Sequence, residues 1–255
     1  MKYLSIALLF FSVFSHSEII SVADAINKAG AQRMLGQRIV KNYIMIGNDI
    51  KATKANKELD KAIALFEQQH LELLNFVEDP ALSRAIDQVT ETWISFRFKA
   101  ISSPTKETAK ELIPLSDQLF IKSNKVVSLL EKKENTSTAT LVNTSGKQRM
   151  LSQKIAKLYM AMAWKLDMKN LDSDFEKTLK EYENGLAKLN QAKENTPSIS
   201  NKLNKVNAQW KFSKAGLSQY KKGRFVPTLI SVTTESILKK MHELTADYQT
   251  LAENS

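Results

Sequence analysis

Cysteine is absent from all 255 residues, and turn formers are scarce, with seven glycines and five prolines. The first absence excludes disulfides, thiolate metal sites, cysteine nucleophiles and c-type haem attachment. Stability must then come from the hydrophobic core. The second, beside abundant Lys, Leu, Ala and Glu, argues for long helices and few hairpins. The main apolar run, Tyr3 to Phe14, falls short of the roughly 20 residues a membrane-spanning helix requires. Lys2 precedes that run and Ser15-His16-Ser17 follows it, so residues 1–17 read as a secretory leader cleaved near Ser17/Glu18. The competing reading is an uncleaved anchor. No cysteine follows the run, which excludes a lipoprotein anchor. The expected location is outside the cytoplasm, most simply a bacterial periplasm.

Catalytic and metal signatures are also missing. His70 sits on an apolar stripe and His242 stands alone, so neither has partners at metal-ligand spacing. The Glu-x-x-His signal of di-iron bundles is absent. So are a nucleophile elbow, a phosphate loop and an acid pair. No enzyme activity, metal or cofactor is expected. The formal charge is +10. A basic surface attracts anions, nucleic acid or anionic lipid. Export argues against nucleic acid, and lysines spread along the chain read as solvated helix faces.

What is present is helical periodicity. Helix one is expected from about Val22 to Asn48, closed by Gly47-Asn48-Asp49. Helix two, about Ala55 to Val77, carries Leu59, Ile63, Phe66, His70 and Leu73 or Leu74 at three- and four-residue steps. Asp79-Pro80 stops one helix and starts the next, which carries Leu82, Ile86, Val89, Trp93 and Phe96. Helix four covers about Lys106 to Lys133, with a kink or restart at Pro114. Residues 135–140, polar and rich in Ser and Thr, read as a linker. Helices five to eight follow, at about Leu141 to Met168, Ser173 to Ala192, from Pro197, and beyond Pro227 to about Leu251. The expected domains are a leader (1–17), a first bundle (18–134), the linker (135–140) and a second bundle (141–255).

The second half repeats the first. Gly30-Ala31-Gln32-Arg33-Met34-Leu35-Gly36-Gln37-Arg38-Ile39 returns 116 positions later as Gly146-Lys147-Gln148-Arg149-Met150-Leu151-Ser152-Gln153-Lys154-Ile155. Asn27 and Asn143 precede the copies, and Tyr43 and Tyr159 follow them. Leu59 and Phe175, and Phe66 and Tyr182, match at the same offset. Pro80 and Pro197, Val89 and Val206, and Trp93 and Trp210 match at 117. The expected fold is therefore all-α, with two tandem antiparallel four-helix units. An up-down unit of four helices ends where it began. Helices one and five can therefore lie parallel and side by side about a pseudo-twofold axis. Trp93 and Trp210 are expected in the core, and Tyr43 and Tyr159 in the core with a hydrated tip.

The polar residues of the motif recur along with the apolar ones, which packing alone does not require. On a helix, Gly30, Arg33 or Met34, and Gln37 share one side, as do Gly146, Arg149 or Met150, and Gln153. A glycine inside a helix costs about 1 kcal/mol relative to alanine, and one compensating use is close approach of a helix or ligand. Arginine stays charged and offers a planar fork of donors suited to oxyanions. Two facing arginines would repel unless an anion lay between them. A planar anion such as nitrate could bond to both, with Gln37 and Gln153 as further donors.

Asn27-Lys28-Ala29-Gly30-Ala31-Gln32-Arg33-Met34 resembles the segment that opens the periplasmic sensor domain of nitrate/nitrite sensor kinases. The wider Ala-Gly-x-Gln-Arg-Met-Leu-x-Gln-Arg form resembles the N-terminal domain of type IV pilus methyl-accepting chemotaxis transducers, the PilJ/NarX-type domain. The resemblance covers most of the chain beyond residue 17 as two tandem units, sharply over about 20 residues in each. It implies helical bundles. In the nitrate sensors it implies an arginine that binds the anion between parallel first helices of a dimer, a role that would fall to Arg33 and Arg149. One chain with two copies would build internally what the kinases build by dimerising. Ser145 and Lys147 depart from the small residues Ala29 and Ala31. No kinase or methyl-accepting region is recognisable, so signalling would require a separate membrane partner.

The expected function is a periplasmic ligand-binding or sensor protein for a small oxyanion, contacted by Arg33, Arg149, Gly30, Gly146, Gln37 and Gln153. Its partner would be a membrane-bound sensor or a pilus or chemotaxis protein. The alternative is an interaction module whose motif helices dock on a chemosensory receptor or pilus component.

Overall fold

In a computed structural model, which describes residues 19, 21–77, 79–134 and 136–254, the described chain is built of helices. They are α1 (Val22–Gly47), α2 (Ala52–Phe76), α3 (Pro80–Ala100), α4 (Lys106–Glu134), α5 (Ser137–Ala163), α6 (Leu171–Asn190), α7 (Pro197–Leu217) and α8 (Pro227–Glu253), with a 3-10 turn at Ser218–Lys222. The leader reading of residues 1–17 lies outside the described residues. Among those described, no helix is long and apolar enough to cross a membrane.

Local chemistry sets the helix ends. Ser21 and Thr136 cap α1 and α5 through side-chain oxygens that accept from Asp24 N and Ala139 N. Asp79 and Thr196 cap α3 and α7, each with proline in the first turn. The Thr136 cap corrects the linker reading: residues 137–140 are already the first turn of α5, so the break between the halves is shorter than 135–140. At its other end α5 stops at Ala163, not Met168. Lys165 turns left-handed (φ 55°) and Leu166 N bonds to Ala161 O at 3.1 Å. Asp49 (φ 52°) and Ile50 do the same after α1, so the repeat includes this turn. Pro114 does not break α4. It lies on the exposed face, where water can satisfy the carbonyl it frees.

The eight helices form two four-helix units, α1–α4 and α5–α8. In the first, α1 packs on α2 and α4, and α3 on α4; in the second, α5 packs on α6 and α8, and α7 on α8. The units meet through α1 and α5, with further contact of α1 with α8 and of α4 with α5. Exchanging the halves maps this set of contacts onto itself, as a pseudo-twofold axis between α1 and α5 requires. Both helices are therefore enclosed on almost every side. Their buried residues include the polar Gln32, Arg33, Gln37 and Lys41 in α1, and Gln148, Arg149, Gln153 and Lys157 in α5.

Each unit has an aromatic centre. Phe66 stacks on Trp93 at 3.8 Å between centroids, and their counterparts Tyr182 and Trp210 lie 4.4 Å apart. All four are buried, as expected. Tyr43 and Tyr159 clasp the distal loops. The Tyr43 hydroxyl donates to Ser103 O (3.0 Å) and accepts from Thr105 N; the Tyr159 hydroxyl accepts from Val226 N (2.8 Å).

At the C-terminal ends of α1 and α5, Gly47 faces Trp164. A Cβ at Gly47 would stand 2.3 Å from the indole Cη2. Gly47→Ala should force Trp164 aside and destabilise the protein by about 1–3 kcal/mol. Urea denaturation measures this; an unchanged midpoint would contradict the parallel α1–α5 contact.

Candidate functional site

The motif residues from Gly30 to Ile39 and from Gly146 to Ile155 are buried, apart from partly exposed Arg38, Lys147 and Lys154. The motif is therefore no surface on which a partner can dock. Arg33 and Arg149, and further along Gln37 and Gln153 with Lys41 and Lys157, face the seam between α1 and α5 in two layers. Gln32 turns instead to His70 of α2, and Gln148 to Gly185 of α6.

The first layer holds Arg33 and Arg149, each 1% exposed. A Cβ built on Gly146 would lie 3.3 Å from the Arg33 Nη2 and 3.4 Å from the Arg149 Nη2. The two nitrogens are therefore no more than about 7 Å apart. A Cβ on Gly30 would meet the same two atoms at 3.1 and 3.8 Å. Glycine in these helix interiors leaves room for the forks; a side chain would press on them. The structure thus brings together four of the expected site residues, Arg33, Arg149, Gly30 and Gly146.

The partners of the pair are neutral; Asn143 and Asn27 reach across the seam, while Asn124 and His242 come from the arginine's own unit. Arg33 Nη1 donates to Asn143 Oδ1 at 2.9 Å and to Asn124 Oδ1 at 2.8 Å, and Nη2 to Asn143 O at 3.4 Å. Arg149 Nη2 donates to Asn27 Oδ1 at 2.7 Å and Asn27 O at 3.3 Å, and Nη1 meets His242 Nδ1 at 3.2 Å. The asparagines are held in turn: Asn143 Nδ2 donates to Glu131 and Asn27 Nδ2 to Gln249. Among the described residues no carboxylate lies within 4 Å of either guanidinium. Both Nε atoms are buried with no hydrogen-bond partner. Burial pushes Arg33 down to about 9; the Arg149 charge adds to this and Glu131 opposes it. Burial alone pushes Arg149 down to about 10. Both remain protonated at neutral pH. Two unit charges less than about 7 Å apart repel by about 2 kcal/mol or more at an effective dielectric of about 20.

The second layer lies two turns further along the helices. Lys41 of α1 pairs with Glu235 of α8, and Lys157 of α5 with Asp117 of α4 at 3.1 Å. Each buried lysine thus ties one unit to the other. Gln37 and Gln153 serve this layer and not the arginines. Gln37 Nε2 donates to Ser116 O at 3.0 Å, and Gln153 Oε1 accepts from Lys41 Nζ at 2.9 Å. Burial pushes Lys157 down to about 8, although Asp117 pulls it back up. Burial alone would raise the Asp117 and Glu235 carboxyls. The neighbouring cations, Lys157 and Lys154 for Asp117 and Lys41 and Arg38 for Glu235, outweigh it and hold both low.

Sequence reading missed Asn27, Asn143, Asn124, His242, Glu131, Gln249 and the lysine layer as site components. Asn27/Asn143 and Lys41/Lys157 were detectable at the 116 offset. Asp117/Glu235, Asn124/His242 and Glu131/Gln249 sit at 118, where the changed residue types hide the correspondence. His242 is not isolated in space, since it contacts Arg149.

Because the Asp117 and Glu235 carboxyls are more acidic folded than unfolded, their stabilisation is present above about pH 4, the ordinary carboxylate range. It is lost as pH falls through their lower folded values. Asp117→Asn with Glu235→Gln should lower stability at neutral pH by roughly 3 kcal/mol, leaving two buried lysines without counter-charge. It should also flatten the loss of stability below about pH 4. Urea titrations from acid to neutral pH measure both; an acid slope like that of the unsubstituted chain would count against this role.

No curated protein and no solved structure matches the chain. Residues 17–113 and 132–229 each match the family described as PilJ, the type IV pili methyl-accepting chemotaxis transducer N-terminal domain. Together the matches take in both motif copies and most of the chain. The chain belongs to the PilJ family and carries two tandem copies of this sensor-type domain.

Proposed function

We propose that this protein is a periplasmic sensor for a small oxyanion of the nitrate or nitrite kind, which it holds between Arg33 and Arg149. The observation that supports this is a pair of buried guanidiniums at the seam of two sensor-type units, facing each other with only neutral partners. A monovalent anion between them would turn repulsion into two charge-assisted contacts. It would also engage donors such as the two orphaned Nε atoms. Arg33 and Arg149 supply the charge and the fork, Gly30 and Gly146 the space, and Asn27 and Asn143 the aim. Gln37 and Gln153 act at one remove, by setting the lysine layer. No chemistry is performed on the ligand. The ligand's effect is on the separation of α1 and α5, hence on how the two units sit, and a membrane-bound sensor or a pilus or chemotaxis protein would read that change.

The test is calorimetry and thermal unfolding of the mature protein in sodium nitrate, with nitrite and chloride for comparison. Nitrate should raise the melting temperature as its concentration exceeds Kd. Arg33→Ala or Arg149→Ala should weaken binding roughly 10- to 100-fold, the loss of one charge-assisted contact. Arg149→Met should also make the anion-free protein more stable than the unsubstituted one, because it removes a buried like charge. Nitrate binding that survives in the double alanine variant would remove the site.

A further inference from the structure

The two arginines are not equivalent. The place that Asn124 Oδ1 takes beside Arg33 is taken beside Arg149 by the Nδ1 of His242. These are corresponding positions on α4 and α8, as Asp117 and Glu235 are. An asparagine accepts at any pH. A histidine nitrogen accepts only when unprotonated, since a guanidinium can only donate. His242 is also an exposed residue lying against a guanidinium that is 1% exposed. Its ring nitrogen thus links the buried Arg149 to a residue that reaches the surface.

We infer that His242 is a proton-operated cover of the anion site, so that anion binding and proton uptake reinforce each other. This rests on the oxyanion reading above. When Nδ1 gains a proton, the contact with Arg149 Nη1 becomes two cations at hydrogen-bond distance. The ring is already at the surface and can swing into water. That frees an Arg149 donor, opens a path to the buried pair and adds a third positive charge at the rim. An anion between the arginines then favours the protonated ring, and the protonated ring favours the anion.

The surrounding charges leave this coupling intact. Burial and then Arg149 hold His242 below the ordinary histidine range, while Glu243, next along α8, opposes them. On α7, Lys202 is engaged by Asp247. On α1, Arg38 and Lys41 are engaged by Glu235, about two turns away along α8, and Arg33 is held by Asn124 and Asn143. No carboxylate on α1, α5 or α7 is paired with His242 among the described residues.

The experiment is nitrate titration by calorimetry at pH 8 and pH 5.5, together with an NMR titration of the His242 ring with and without nitrate. Nitrate should bind severalfold more tightly at the lower pH, approaching the roughly tenfold limit set by a rise of about one unit in the His242 titration midpoint. His242→Asn, which copies the other half of the site, should bind nitrate with an affinity that changes little between the two pH values. Circular dichroism confirms its fold. Equal affinity at both pH values in the unsubstituted protein, or an undiminished pH dependence in His242→Asn, overturns the inference and leaves the oxyanion reading standing. No nitrate binding at either pH, with a His242 titration indifferent to nitrate, overturns both.

Discussion

Two like charges buried against each other at the seam between α1 and α5 are the constraint on which the rest depends. Burying one guanidinium is unfavourable, and burying two within about 7 Å is more so. The fold bears this by crossing its partners over. Asn143 of the second unit serves Arg33 of the first, and Asn27 of the first serves Arg149 of the second. Neither arginine is satisfied by its own unit alone, so the same bonds that solvate the charges join the halves.

The lysine layer repeats this logic with real counter-charges. Lys41 reaches across to Glu235 and Lys157 across to Asp117. One layer along the seam is thus neutralised and the other is not. Asp117 and Glu235 stand opposite the lysines, whereas among the described residues no carboxylate is in ion-pair range of either arginine. The arginine layer is where an added negative charge would act, and the seam of α1 and α5 is where its effect would be felt. For a family of sensor-type domains, duplication within one chain fixes the two arginines in a single molecule.

Duplication also lets the copies diverge. Gln32 of the first unit bonds to His70, which in turn meets Thr90. Gln148 of the second instead lies against Gly185, where a Cβ would stand 1.8 Å from its Nε2. Asn124 and His242 differ in the same way beside the arginines. A symmetric dimer could not hold such differences, since any change would appear on both sides.

Periodicity, capping residues and the internal repeat were enough to predict eight helices in two units. These signals are local, and α1 to α8 follow them to within a few residues, except where Thr136 starts α5 early and Lys165 ends it. The repeated Gly-x-Gln-Arg segment likewise singled out Arg33, Arg149, Gly30 and Gly146, because a recurring polar side chain has no packing reason to recur. The sequence could not say what the arginines face. That depends on α4 and α8, whose Asp117, Asn124, Glu131, Glu235, His242 and Gln249 carry no shared motif and meet α1 and α5 only once the halves are packed. Nor could it assign the glutamines. Gln37 and Gln153 share a helix side with the arginines, but the layer they join is set by Ser116 and Lys41, brought close from distant parts of the chain. Helical spacing belongs to the chain itself; which charge is left without a counter-charge was decided by tertiary contact, because burial and partner distance exist only in the assembled bundle.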